Sequence, residues 1–242
     1  MDRLAAALGA GILSIGAIGT AGLVTTTWKQ NRELNQTLAV TGSAKRSIQA
    51  DLGILNGSLA ASGLTQQEAN IALAGQAKQL TEAFAQDGFP GDKIERSPVS
   101  LETVFETNAE GTSTGVARAY NAYQRFEVRS NDVQSIKKLS LKIGDVVNSG
   151  ISFQVSQPQY LYTKLATIRV DMQEEATKDA KNRATRIVKA TGQDLGQLRD
   201  ASMGVIQVTA KDATEFEDTG SLDTTAIEKD ITAVVRLSFA IK

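Results

Sequence analysis

The sequence predicts an α+β protein: an antiparallel sheet covered by helices in the order ββα-ββα-βα-ββ, preceded by one N-terminal transmembrane helix. Three observations predict it. Stretches of period-two alternation come mostly in pairs, as hairpins do. Between them lie three windows in which apolar residues recur every three or four positions, with helix start or stop residues at their ends. Residues 4–24 carry no charge at all. Strand pairs alternating with single helices point to antiparallel pairing with helices laid on a sheet. Residues 1–32 read as a membrane anchor and stalk, and residues 33–242 as one α+β domain.

The head reads LAAALGAGILSIGAIGTAGLV. A helix of that length is about 30 Å long, matching the hydrocarbon core of a bilayer. Trp28 stands where an interfacial aromatic is expected, with Lys29 and Arg32 beside it. Ala6, Ala10, Ser14, Ala17 and Ala21 recur at spacings of three and four. They form a small-residue face on which helices pack closely in lipid. Two other readings compete, a cleavable signal peptide cut near Gly19 and Ala21 and a buried soluble helix. The uncharged run is longer than a usual h-region, which favours the anchor. The positive charge of Lys29 and Arg32 on its far side weighs the other way for an exported domain.

Residues 25–36 form a polar stalk. Leu38 and Val40, then Ile48, Leu52, Ile54 and Leu59, predict a two-stranded ribbon over residues 37–61. Thr65 with Glu68 makes a capping box, and Ala69, Leu73, Ala77, Leu80 and Phe84 share one helical face, which Gly88 ends. Strands follow at 94–105 and 117–129, joined by the loop NAEGTSTG, with Tyr120, Ala122, Gln124, Phe126 and Val128 on one side. A second helix over 132–148, capped by Asn131, buries Val133, Ile136, Leu139 or Ser140, Ile143 and Val147, and a short strand spans 151–155. The third helix, 160–191, has the stripe Leu165, Ile168, Met172, Ala176, Ala180, Ala184, Ile187 and Thr191. Its outer face carries Glu174 before Lys178 and Asp179 before Arg183, and Gly192 ends it. Strands at 197–209 and 231–241 close the chain, joined by an acidic connection.

Composition narrows function mainly through zeros. The chain has no His and no Cys, which removes Ser-His-Asp triads, His/Cys zinc chemistry, thiol nucleophiles and disulfides. A formal net charge of −1 gives no electrostatic case for nucleic acid. Asp212, Glu215, Glu217, Asp218, Asp223, Glu228 and Asp230 offer oxygen ligands for a hard cation, but their spacing matches no EF-hand loop, so no metal site is assigned. Lys178, Lys181, Arg183, Arg186 and Lys189 read as a solvated helix face, with an anionic headgroup as the alternative. Tyr160 and Tyr162 read as core packing, with a subunit contact as the alternative. The glycines form no phosphate-cradling motif, so no cofactor and no catalytic residue is assigned.

Taken in order, these segments resemble the SIMPL-domain family. LAVTGSAKRSIQAD (residues 38–51) is similar to the family's opening strand, with Ala44 in place of its second glycine and Ala50 in place of its proline. Ala119-Tyr120 resembles its Gly-Tyr strand, and GISFQVSQP (residues 150–158) its G-I-x-F-x-x-S-x-P segment. Ala176, Asp179, Ala180, Ala184, Gly192 and Gly196 follow its long helix and glycine ending. The resemblance implies a periplasmic or membrane-anchored envelope protein, with homo-oligomeric rings in some members, suggested links to stress tolerance, and no established reaction. The expectation is therefore a non-enzymatic protein held in the bilayer by residues 4–24, its domain extracytoplasmic, whose partner is itself in a ring or cage. The alternatives are a monomeric extracytoplasmic binding module for an envelope partner or small ligand and, since His and Cys are absent, an enzyme that uses only carboxylates, Lys or Tyr.

Overall fold

A computed structural model describes residues 36–213 and 222–241. The expected anchor, with Ala6, Ala10, Ser14, Ala17, Ala21, Trp28, Lys29 and Arg32, lies outside the described residues. Among the described residues, no helix is long and apolar enough to cross a membrane. The fold is α+β with three helices, and its strands form two antiparallel sheets rather than the single one expected. The chain divides into two compact units. One draws on residues up to Arg46, Ala166–Ile206 and residues from Thr232 on; the other comprises Ser47–Leu165 and Gln207–Ile231.

The second unit holds the larger sheet. Strand β2 (Leu52–Gly63) pairs antiparallel with β5 (Ser113–Ser130) from Gly53↔Ser130 to Gly63↔Tyr120. β3 (Ile94–Arg96) and β4 (Ser100–Thr107) pair β5, while β6 (Phe153–Val155) and β7 (Gln159–Leu161) pair β2. Helices α1 (Gln66–Gln86) and α2 (Val133–Asn148) share its core. The α1 stripe is buried at the expected residues, Ala69, Leu73, Ala77, Leu80 and Phe84. Thr65 caps the helix by accepting from Glu68 N–H at 3.1 Å. Glu68 returns its carboxylate to Leu64 N–H at 2.9 Å, one residue before the cap, so the box is closed in a shifted form. Phe153 stands edge-on to Phe84 and Phe126, with ring centroids 5.9 and 6.5 Å away. Gly57 makes room for it: a Cβ there would lie 2.2 Å from the Phe153 ring.

The first unit is built on a three-strand path, β1 (Thr37–Gln49), β10 (Glu228–Ile241) and β8 (Leu195–Met203), and on helix α3 (Leu165–Ala190). A short strand, β9 (Gln207–Ala210), also pairs β10, and β1 and β10 contribute residues to both units. The helix buries Ile168, Met172, Ala176, Ala180, Ala184 and Val188. Three alanines in this stripe let it sit directly on β1 at Gly42, where a Cβ would be 2.3 Å from Ala176 O and Ala180 N. Ser43 N–H donates to Asp179 at 3.0 Å, and the Arg46 guanidinium meets Glu175, fastening strand to helix.

Several sequence expectations are corrected. The ribbon over 37–61 does not form, because β1 and β2 belong to different sheets. At their junction Ala50 N–H donates to Ile227 O and Asp51 N–H to Leu161 O, so the backbone bonds that a tight turn would use are committed elsewhere. The strand expected over 94–105 breaks between β3 and β4, at Pro98, which cannot donate to a ladder. The cap of α2 is Asp132, not Asn131; it accepts from Gln134 and Ser135 N–H, and Val146 rather than Val147 is buried. Helix α3 starts at Leu165 rather than at 160, because Tyr160 is taken by β7, where it is buried and donates its N–H to Thr224 O. Burial raises the Tyr160 phenol above its ordinary pKa. At the other end of α3 Val188, not Ile187, is buried. The strand expected over 197–209 is divided into β8 and β9 around Gly204.

Candidate functional site

Three features stand apart from ordinary packing. The first is an apolar groove of about 720 Å³ in the first unit. Sheet face and helix flank build it together. Opposite residues of an antiparallel pair lie on one face, so the registers Val235↔Met203, Leu237↔Ala201 and Phe239↔Leu198 place all six on the same side. Val235, Leu237 and Phe239 are buried, whereas Leu198 is 52 % and Met203 62 % exposed. The α3 flank closes the groove with Thr177, Lys181 and Thr185. Both threonine hydroxyls donate to the carbonyls four residues back, Gln173 O at 2.7 Å and Lys181 O at 2.9 Å. Lys181 is therefore the one lining group with an uncommitted charge, and it pairs with no carboxylate among the described residues. The groove's lining combines apolar side chains with a single ammonium, which in chemical terms suits an apolar group with an anionic neighbour. β8 is also an edge strand among the described residues, with register shifts near Ser238 and Phe239 that twist part of the edge out of regular pairing.

The second feature is the β4–β5 arm of the second unit. Leu101 and Phe105 are each 46 % exposed and Val116 55 %. Leu101 sits opposite the fully buried Ala122, so the core face of the sheet continues along the arm into solvent. Its tip is fixed by Asn108, whose Oδ1 accepts from Thr112 N–H at 2.8 Å and whose carbonyl accepts from Gly111 N–H at 3.0 Å. Ordered strand therefore reaches further than expected, and the loop is only residues 108–112.

The third is a buried ionic cluster. Lys229 and Asp230 are each 1 % exposed. The Lys229 ammonium donates to Asp223 O at 2.6 Å and to Asp223 Oδ1 at 3.2 Å. Asp230 accepts from Ser47 Oγ at 2.6 Å and from Asp212 N–H at 3.1 Å, and Asp212 adopts φ 60° to make that bond. Burial alone would raise the Asp223 pKa, but N–H donors from Ala226 and Thr225 and the Lys229 ammonium outweigh it and hold the carboxyl below its ordinary value. Among the described residues no buried side-chain N or O atom lacks a partner, and the cluster ties the described ends of the acidic connection to the second unit.

The SIMPL family profile, described as "protein of unknown function (DUF541)", matches residues 38–239. The chain belongs to the SIMPL family. No curated protein matches it. One solved structure similar to part of this SIMPL chain is a putative amidohydrolase/peptidase from Burkholderia cenocepacia, at 15 % identity and TM-score 0.19. The match covers 54 % of this chain and about a third, 32 %, of that one, and at this TM-score it carries no argument.

The acids singled out in the SIMPL sequence do not converge. Glu228 pairs with Lys211 at 2.8 Å, and Asp212, Asp223 and Asp230 serve the buried cluster. Glu215, Glu217 and Asp218 lie outside the described residues. Among the described residues, no group of three or more His, Cys, Asp or Glu side chains is placed to hold a metal. On α3, Lys178 meets Glu174 at 2.5 Å and Arg183 meets Asp179 at 2.8 Å, as expected, while Arg186 and Lys189 are exposed. The Lys178 ammonium lowers the Glu174 pKa through their hydrogen bond; Asp179 is lowered first by Ser43 N–H and then by Arg183. Tyr160 is core and Tyr162 half-buried. Sequence reasoning missed the groove, the arm and buried Lys229. Only Lys229 left a local signal, a lysine just before the alternating run ITAVVRLSF.

Proposed function

We propose that this SIMPL protein is a non-enzymatic envelope scaffold that self-assembles into a homo-oligomeric ring or cage, tethered by residues 4–24 with its domain on the extracytoplasmic side. The exposed apolar surface along the edge strand β8 carries the reading: Leu198 and Met203 stand open beside a floor of buried Val235, Leu237 and Phe239. An edge of this kind is paired, covered or blocked in a working protein. Tethering in one membrane raises the effective concentration of subunits, so modest contacts suffice to close an assembly. A role in stress tolerance is the family-level expectation that such a scaffold would serve. Native mass spectrometry of detergent-extracted full-length protein tests the reading. Oligomers of defined stoichiometry are expected; monomer at every concentration refutes it.

The groove also supports a second reading, a monomeric module that takes an apolar ligand or envelope partner. Its volume lies within the range of ligand sites. A monomer that co-purifies with a bound apolar molecule would favour this reading. Side is tested separately with Thr112→Cys at the exposed arm tip, in a chain that otherwise has no thiol. Labelling by an impermeant reagent in intact cells supports the extracytoplasmic placement; labelling only after lysis refutes it.

A further inference from the structure

We propose that the β4–β5 arm of one copy seats in the α3–β8 groove of the next, making the assembly contact head-to-tail. The inference rests on the self-assembly reading above and names the surfaces that carry it. Both surfaces are apolar and open. The arm presents Leu101 and Phe105, and the groove presents Leu198 and Met203 over its buried floor. Their charges are complementary. The stretch from Ser100 to Gly115 contains Glu102, Glu106 and Glu110 and no Lys or Arg. The groove's lining has one charged residue, Lys181, unpaired among the described residues. Burying Phe105 in the groove with a glutamate near Lys181 satisfies both surfaces at once, whereas arm against arm would set glutamates against glutamates. β4 and β8 are each bonded to a single strand among the described residues, and Asn108 hydrogen-bonds across the arm's tip, which lowers the cost of ordering it on binding. Because arm and groove are different surfaces, the contact is heterologous, and repeated contacts of that type generate a ring or an open filament.

The test uses full-length protein in detergent, where engineered thiols are the only ones. Thr107→Cys, at an exposed position on the same arm that leaves Phe105 in place, and Met203→Cys are prepared separately, mixed and oxidised. Covalent dimers are expected in the mixture and not in either variant alone. Dimers of either variant with itself, or none in any sample, overturn the proposal. Native mass spectrometry on dilution reads the energetics. Phe105→Asp, the loss of an aromatic anchor, should weaken assembly by about 30-fold or more. Lys181→Glu should weaken it by about 2- to 5-fold, with recovery when Glu106→Lys and Glu110→Lys are added. Should Phe105→Asp misfold, judged by circular dichroism, the charge swap at exposed positions decides alone. Wild-type-sized oligomers in all these variants would refute the arm-and-groove contact while leaving self-assembly standing. A wild-type protein that is monomeric throughout would refute both.

Discussion

Gly42→Ala and Gly75→Ala add the same methyl group and should move stability in opposite directions. At Gly42 the new carbon would stand 2.3 Å from Ala176 O and Ala180 N, and 2.7 Å from Ala180 Cα. Ordinary contact begins near 3.4 Å, so strand and helix would have to part by about 1 Å. Little give is available, because the obstacle is helix backbone and the same stretch of β1 is bonded to α3 through Ser43–Asp179 and Arg46–Glu175. Overpacking of this severity costs about 3 kcal/mol, offset by up to about 1 kcal/mol from the less flexible unfolded chain, a net loss of about 2 kcal/mol. Gly75 is exposed in the middle of α1 with nothing within 4 Å of the added carbon. There the substitution should stabilise by about 0.4–1 kcal/mol. Thermal unfolding followed by far-UV circular dichroism should show Gly42→Ala melting about 4–8 °C lower and Gly75→Ala about 1–4 °C higher. Gly42→Ala melting at or above wild type would refute the close packing of α3 on β1.

Removing either helix cap, by Thr65→Ala or Asp132→Ala, should cost about 1 kcal/mol in urea unfolding, since each leaves first-turn N–H groups without their acceptor. Lys229→Ala should cost about 3 kcal/mol, the low end for breaking a buried pair because Asp223 keeps its two backbone donors, and Lys229→Met should cost less by filling the space. Because the Asp223 carboxyl is held below its ordinary value of 3.8, its contribution is complete above that pH and is lost as pH falls through the lower folded value. Asp223→Asn should therefore flatten the stability-against-pH curve below about pH 4, and an unchanged acid limb would refute the assignment. Phe153→Ala should cost about 3–5 kcal/mol, because the ring fills the space above Gly57 between Phe84 and Phe126.

What could be read from the sequence was what local periodicity encodes. The α1 stripe was legible to the residue because Thr65 and Gly88 mark both ends and the helical period does the rest. At the far ends of α2 and α3 the same reasoning slipped by one, choosing Val147 and Ile187 over Val146 and Val188; a stripe leaves one-residue freedom where no cap fixes its phase. Strand pairing failed more deeply. β1 and β2 are adjacent in sequence with only Ala50-Asp51 between them, yet their partners are β10 and β5. That choice depends on bonds made by Ala50 and Asp51 to residues far along the chain, which no local pattern shows. The candidate site is illegible for a related reason. Leu198 and Met203 would count as core residues in any strand, and Leu101 and Phe105 likewise. They are exposed because β8 is an edge strand beyond the cover of α3, and because the β4–β5 arm carries its core face out into solvent. Which apolar residues remain open is thus a property of how far each sheet extends past its helix, and the open apolar surfaces of the described residues arise at those two overhangs.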